Sequence, residues 1–239
     1  MIKSFLIVIS LQIVLYSSGQ IVLVVSQDFN TSKAYMQCFE DGKKVFNTTF
    51  EVNIGTNGLG WGLGEIILKQ SDFEPKKQEG DKKAPAGIFK LTHIFGYKKD
   101  ENTNLPYLHA SKELICVDDV DSKFYNQIML KPKIEPKSFE LMKRDDNQYE
   151  LGIVVSHNKD AIKKSGSCIF MHVAKSKDSS TAGCTSMSIE ELKKITSWLD
   201  ESKSPILIQI PKSSASEILE LYPELKSSKL LKPLKPLLP

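Results

Sequence analysis

The chain has 239 residues, a formal net charge of +3, and 41% hydrophobic and 26% charged residues. That length accommodates one domain with small attachments, and that balance supports a packed core and excludes disorder as the main state. Of the 32 basic residues only Arg144 is arginine, so no nucleic-acid partner is expected, and four cysteines are too few for a disulfide scaffold.

Residues 1–19 read as a secretory signal. Lys3 supplies the positive start, Phe5 to Tyr16 is an apolar run broken only by Ser10 and Gln12, and Ser17-Ser18-Gly19 offers small residues for cleavage before Gln20. The first apolar run is shorter than the ~20 residues that a bilayer span needs. Ile21 to Val25 prolongs the apolar character and keeps an uncleaved anchor as the alternative. Membrane contact is expected only through this segment, and the mature protein is expected outside the cytoplasm.

Ile21–Val25, Ala34–Glu40 and Val45–Ile54 follow as β-rich runs, bounded by the turn pairs Asp41-Gly42 and Asn57-Gly58. Gly55, Gly58, Gly60, Gly62 and Gly64 fit neither the dinucleotide fingerprint nor the phosphate-binding loop and predict a close-packed loop around Trp61. Residues 70–83 are polar and lysine-rich, as in a solvated loop. Pro85–Tyr97, Leu114–Val117, Gly152–Ser156 and Ser167–Val173 are further apolar, strand-like runs. Ser188–Leu199 is the clearest helix, with Ser188 and Glu191 forming a capping box and Leu192, Ile195 and Leu199 on one face. Pro205–Ile210 is a closing strand. The pattern predicts a β-dominated α+β domain over residues 20–211, followed by a C-terminal tail, 212–239, rich in Lys, Ser, Leu and Pro.

One constellation carries chemistry. The strand Ser167–Val173 contains His172, a short polar loop follows at Ser176–Ser180, and then comes Thr181-Ala182-Gly183-Cys184. A loop of this length lets the chain double back and bring the imidazole to the thiol. The thiolate of a cysteine is its nucleophilic form, and an adjacent histidine can take the proton or hold the thiolate as an ion pair. Gly183 leaves room for a substrate carbonyl, and the N–H groups of Gly183 and Cys184 could face a developing oxyanion. On spacing alone, a buried structural cysteine and a strand histidine is the favoured reading. The chain contains no C-x-x-C, no H-E-x-x-H and no cluster of zinc spacing, so neither metal nor organic cofactor is expected.

The pattern of His172 followed by Thr181-Ala182-Gly183-Cys184 resembles the active-site signature of the L,D-transpeptidase (YkuD-like) family. The likeness extends to Gly80-Asp81-Lys82-Lys83-Ala84-Pro85-Ala86-Gly87-Ile88-Phe89, with Ala84 where Thr is usual, and to Phe95-Gly96-Tyr97, Cys116-Val117-Asp118-Asp119, Tyr125-Asn126, Val154-Val155-Ser156-His157-Asn158 and Gly166-Ser167-Cys168-Ile169-Phe170. It covers roughly residues 20–211. The resemblance implies a fold of β-sandwich or mixed sheets with a few helices, a periplasmic or cell-wall location, and action on peptidoglycan stem peptides. It implies that Cys184 is the nucleophile and His172 the base, with Thr181 and Gly183 positioning the reacting carbonyl. Transfer to an amine makes an L,D-transpeptidase, and transfer to water an L,D-carboxypeptidase. A non-catalytic wall-binding module is the alternative of another class. A papain-like hydrolase usually presents Cys before His, the reverse of the order here.

This chain departs from the family pattern in having Thr185-Ser186 after the cysteine, where many members have Ile-Arg, and His172-Val173-Ala174 where many have His-Gly-Thr. Arg144 is the candidate to replace the missing arginine, against an equally weighted structural ion pair with Asp118, Asp119 or Asp145. His157 and Asn158 end an apolar strand and are candidate pocket-lining residues, with a structural role at least as strong. His93 and His109 have no matching family histidines. For Cys116 and Cys168, two buried free thiols is the favoured reading and a disulfide the alternative.

Overall fold

The computed structural model describes residues 19–134 and 136–232. The signal segment read at 1–19 lies, apart from Gly19, outside the described residues.

Fourteen strands and two α-helices are present among the described residues. In chain order the strands are β1 (Gln20–Ser26), β2 (Lys33–Glu40), β3 (Lys43–Lys44), β4 (Phe50–Asn53), β5 (Leu59–Trp61), β6 (Ala84–Gly96), β7 (Tyr107–His109), β8 (Leu114–Cys116), β9 (Ile128–Leu130), β10 (Glu140–Leu141), β11 (Leu151–Val155), β12 (Phe170–Val173), β13 (Thr185–Met187) and β14 (Ile206–Pro211). The helices are α1 (Ile189–Trp198) and α2 (Ala215–Leu221). This is the β-dominated α+β class expected from the sequence.

The main sheet runs β1-β14-β6-β11-β12-β13-β4-β2, and β2 pairs back onto β1, so eight strands close into a ring. Closure explains why Ile21–Val25 is apolar at every position. β1 is hydrogen-bonded on both edges, in parallel to β14 and antiparallel to β2, and every residue in it is buried. Leu23, Met36, Val52, Ile88, Ile94, Ile153, Met171 and Met187 belong to one packed cluster. The alternate residues of β11 and β12 point outward. There Val154 and Phe170 meet a second cluster with Phe95, Tyr149, Cys116, Cys168 and Cys184. A small sheet, β10-β8-β9, carries Cys116 into this outer cluster.

Helix α1 is capped as expected. Ser188 Oγ accepts from Glu191 N (3.3 Å), and Glu191 Oε2 accepts from Ser188 N (3.2 Å). Such a cap contributes about 1 kcal/mol. Leu192, Ile195 and Leu199 are fully buried on the face expected.

Four readings are refined by the fold. Val45–Ile54 is not one strand: it begins beyond β3 with a bend that packs Phe46 edge-on against Phe50 and Trp198, and only then becomes β4. The strand read at Ser167–Val173 starts only at Phe170, because Cys168 takes a left-handed backbone (φ 54°), its N–H bonded to Asn126 Oδ1 at 2.9 Å. The loop at 70–83 is not wholly solvated: Lys77 is buried and its ammonium reaches Asp81 Oδ1 (2.6 Å) and the Gln78 carbonyl (2.6 Å). Residues 212–232, within the segment read as a C-terminal tail, carry structure. They form α2 and flanking 3-10 turns, and Ile218, Tyr222, Leu225 and Leu231 join the core of the ring.

Candidate active site

Cys184 lies at the foot of β13, and β13 runs parallel to β12 with Met171 opposite Thr185 and His172 opposite Ser186. The crossover between these strands is residues 174–184. Parallel neighbours require a crossover that leaves the sheet and returns, and this one is held at both ends. Lys33 Nζ donates to the Lys177 carbonyl (2.9 Å) and to Asp178 Oδ1 (2.9 Å). Further on, Thr181 N donates to the Ile54 carbonyl (3.0 Å), and Thr56 N donates to the Thr181 carbonyl (2.9 Å).

The turn before the cysteine is organised by Thr181. Its hydroxyl donates to the Cys184 carbonyl (2.6 Å) and accepts from Gly183 N (3.1 Å). Gly183 sits at φ +150°, where a side chain is strained, and a Cβ there would lie 3.0 Å from the Lys83 carbonyl oxygen. Because the Gly183 N–H is engaged by Thr181, it is not the free oxyanion donor expected from the sequence; its part is to shape the turn.

The Cys184 sulfur is 8% exposed as a residue, accepts from Phe170 N (3.3 Å) and donates to the Cys168 carbonyl (3.6 Å). Burial, reinforced by the Glu140 carboxylate, pushes its pKa up to about 12. His172 is also buried, and burial pulls its pKa down to about 4. Its Nδ1–H donates to the Val173 carbonyl (2.8 Å), which leaves Nε2 as the proton-accepting nitrogen. The resting pair is therefore a neutral thiol and a neutral imidazole, each held by its own backbone partner.

Tyr149 ties the surroundings together. Its ring packs edge-on against His172 (5.3 Å), Phe170 (5.6 Å) and Phe95 (5.6 Å), and its hydroxyl donates to Glu140 Oε2 (2.6 Å). Burial raises the pKa of both Tyr149 and Glu140. The sequence reading did not single out Tyr149 or Glu140; their signal was weak, an isolated aromatic and an acid within a polar stretch.

Arg144 stands at the edge of this cluster, 5.1 Å over the Tyr149 ring. Its fork grips Asp146, with Nε to Oδ1 at 3.0 Å and Nη2 to Oδ2 at 2.9 Å. The ion-pair partner is thus Asp146, not Asp118, Asp119 or Asp145. The same pairing raises the Arg144 pKa and lowers that of Asp146.

His157 and Asn158 are brought together elsewhere. His157 is 2% exposed; its Nδ1 accepts from Leu63 N (3.3 Å) and its Nε2 donates to the Ser165 carbonyl (2.9 Å). Asn158 donates to the carbonyls of Ile162 (3.0 Å) and Gly166 (2.9 Å) and accepts from Ile162 N (2.9 Å). These bonds close the 158–166 loop and engage both side chains with its backbone. Asn126, with φ 61°, donates to the carbonyls of both residues and accepts from Cys168 N.

Cys116 and Cys168 form a disulfide, the alternative and not the favoured reading of the sequence. It fastens β8 to the segment that leads into β12. Cys38 and Cys184 are the free cysteines, both buried. No group of three or more metal-ligating side chains occurs among the described residues, and none of their helices is long and apolar enough to cross a membrane.

The chain belongs to the YkuD family: the model of the L,D-transpeptidase catalytic domain matches residues 24–208, which take in both Cys184 and His172. Solved structures similar to it include the helical cell shape determining protein Pgp2 from Campylobacter jejuni (15% identity, TM-score 0.39, 80% of this chain and 46% of that one). Bd1075 from Bdellovibrio bacteriovorus is another (16% identity, TM-score 0.39, 81% and 48%). The chain thus spans about half the length of these structures. No match was found among curated protein sequences.

Proposed function

We propose that this protein is a cysteine-dependent L,D-transpeptidase that remodels peptidoglycan outside the inner membrane through a thioester acyl-enzyme. The observation that carries the reading is that Cys184 immediately precedes β13, the parallel neighbour of the strand β12 that carries His172, and that His172 is held through Nδ1 so that Nε2 remains the base. Family membership supports stem peptides as the substrate class.

In this reading a donor stem peptide enters over the outer face of the ring. Rotation about the Cys184 side chain turns the thiol from the Cys168 carbonyl toward His172. Nε2 takes the thiol proton as sulfur bonds to the carbonyl carbon of the third stem residue, and the Cys184 N–H faces the oxyanion. The C–N bond then breaks, and the proton on His172 leaves with the amine of the departing D-amino acid. The neutral resting pair suits general-base catalysis: almost no thiolate forms at neutral pH until a substrate carbonyl is in place.

An amine from a second stem peptide or from a protein lysine resolves the thioester in transpeptidation. Water resolves it in the second reading, an L,D-carboxypeptidase, which two unpaired polar atoms beside His172 favour. The deciding experiment incubates the protein with a purified disaccharide-tetrapeptide and follows both enzyme and products by mass. A thioester on Cys184 and release of the terminal D-amino acid are expected. Cys184→Ala abolishes both while the fold persists; turnover by the alanine variant would refute the mechanism.

A further inference from the structure

The surroundings of His172 are apolar on one side and polar on the other. Toward β11 it faces Gly152, which pairs with Phe95, and above it lies Tyr149. Toward β13 it faces Ser186, and across β13 Ser186 faces Asn53 of β4. Residues directly opposite on neighbouring strands point to the same side of a sheet. His172, Ser186 and Asn53 therefore form one row on the outer face, and Cys184 lies two residues before Ser186 on that face.

Two members of this row are anomalous. Ser186 is 1% exposed and Asn53 4% exposed, yet Ser186 Oγ and Asn53 Oδ1 have no hydrogen-bond partner among the described residues. A buried polar group without a partner costs about 1–3 kcal/mol, so such groups persist where something polar visits them. A hydroxyl and an amide carbonyl side by side suit one small molecule that both donates and accepts. Buried waters typically make about three hydrogen bonds to such groups. The third group within the row is His172, whose Nε2 is the base. The crossover, tied to β2 through Lys33 and to the segment after β4 through Thr56, passes this end of the row.

We propose that Ser186 and Asn53 are positioning residues for the water that resolves the acyl-enzyme. The inference rests on the thioester mechanism proposed above and assigns the hydrolytic branch of its second half. The water donates one hydrogen to Asn53 Oδ1, accepts from Ser186 Oγ, and directs its other hydrogen to His172 Nε2. Its oxygen bonds to the thioester carbonyl carbon and its proton passes to His172. The C–S bond then breaks, and the proton returns to the Cys184 sulfur. The products are the shortened stem peptide acid and free thiol. The serine stands where many family members carry arginine, so this chain puts a water ligand where they put a cation.

The test separates the two half-reactions in the full chain. With the disaccharide-tetrapeptide, acylation is read as a first-turnover burst of D-amino acid, and hydrolysis as decay of the thioester seen by intact mass. Ser186→Ala and Asn53→Ala are expected to keep acylation within about twofold and to slow hydrolysis about tenfold, so that acyl-enzyme accumulates. Aminolysis by added glycine, which brings its own nucleophile, is expected to be unchanged, and Ser186→Thr, which keeps the hydroxyl, to retain most of the hydrolysis. A purely structural pair would change the melting temperature and leave the ratio of hydrolysis to aminolysis as in the parent; that result overturns the proposal. So does equal slowing of both reactions, which would make the pair a support for His172. Failure of the parent protein to form any thioester would refute the underlying mechanism itself, and is recognised at the first step.

Discussion

His157 and His172 sit beside neighbouring strands of one ring, both buried, both drawn down to a pKa of about 4 by burial. They differ in what their nitrogens do. Both nitrogens of His157 are held, by Leu63 and Ser165, and its ring is closed in by Gly62 and Gly166, where a Cβ would stand 3.0 Å from one or other ring nitrogen. His172 has one nitrogen bonded to the Val173 carbonyl and the other available. A depressed pKa thus marks burial in both cases; what separates the two is the nitrogen that His172 keeps available. The 157–166 loop uses its polar groups to hold its own backbone, whereas the 174–184 crossover is tied down by Lys33 from β2 and by Thr181 just before Cys184.

The sharpest way to break this comparison is to remove each ring. His172→Ala is expected to slow single-turnover acylation by ~10²–10⁴-fold, the usual contribution of a positioned general base. His157→Ala is expected to leave the acylation rate of folded protein within a few-fold and to lower the melting temperature, because it strips partners from Leu63 N–H and the Ser165 carbonyl. The reverse pattern would exchange the two roles.

The disulfide separates the regions in a second way. Cys116 and Cys168 are 52 residues apart in sequence. A cross-link closing a loop of that length stabilises by about 4 kcal/mol in the chain-entropy model. Replacing both by alanine is expected to cost a few kcal/mol by denaturant titration. The loss of hydrogen-exchange protection should concentrate in β8 and β9, which the bond holds over the site, and spare β1 and β14. Uniform loss across the ring would show that the small sheet is not a separable cover.

The same contrast governs what could be read from residues alone. The helix α1 was legible because its cap and its apolar face are local, and β1 because a doubly paired strand is apolar at every position from Ile21 to Val25. Cys184 and His172 were legible through the family motif; their distance in sequence is short and their residue types are rare. β13 was not seen, since three residues, Thr185–Met187, carry no periodic signal and become a strand only through β12 and β4. The disulfide was not seen as the stronger alternative because Cys168 is displaced from its strand by a left-handed backbone held from Asn126, a contact 42 residues away. Residues 212–232 read as a tail because a lysine-rich composition hides the buried positions of α2, whose value depends on the ring it covers. His157 and Asn158 drew attention as polar residues at a strand end; the bonds that occupy them come from the backbone of a loop, which no pattern of side chains reveals.

The paired histidines also predict a pH dependence. An unfolded histidine binds a proton near pH 6.5, whereas these two resist protonation in the folded protein until about pH 4. Between these values the unfolded state binds more protons, so stability is fully present above about pH 6.5 and falls as pH drops toward 4. Thermal melts across this window are expected to decline, and less steeply in His157→Ala or His172→Ala, each of which removes one of the two groups. Acylation is expected to keep its base form through mild acid, with the acid limb of its pH profile near 4 and not near 6.5. A limb at 6.5 would mean that substrate-free His172 is solvated.

Arg144 offers the smallest and most discriminating contrast, because it belongs to both kinds of region. Its fork holds Asp146, and Asp146 in turn accepts from Gln148 N (3.0 Å) at the start of the short turn that carries Tyr149 against His172. Two of its five N–H groups are used in that pair, and its side chain remains 38% exposed. Three donors are thus left at the edge of a site whose expected substrate carries carboxylates. An exposed pair of this kind contributes about 0–1 kcal/mol, so Arg144→Lys is expected to move the melting temperature by no more than a few degrees. Lysine keeps the charge and loses the planar fork, and KM for the tetrapeptide is expected to rise several-fold with kcat nearly unchanged. Asp146→Ala supplies the control, since it frees the guanidinium without removing it. If Arg144 grips substrate, Asp146→Ala leaves KM unchanged or lowers it. If the pair serves only to hold Tyr149, the two variants lose melting temperature together and shift kcat, not KM, through the imidazole on which Tyr149 rests.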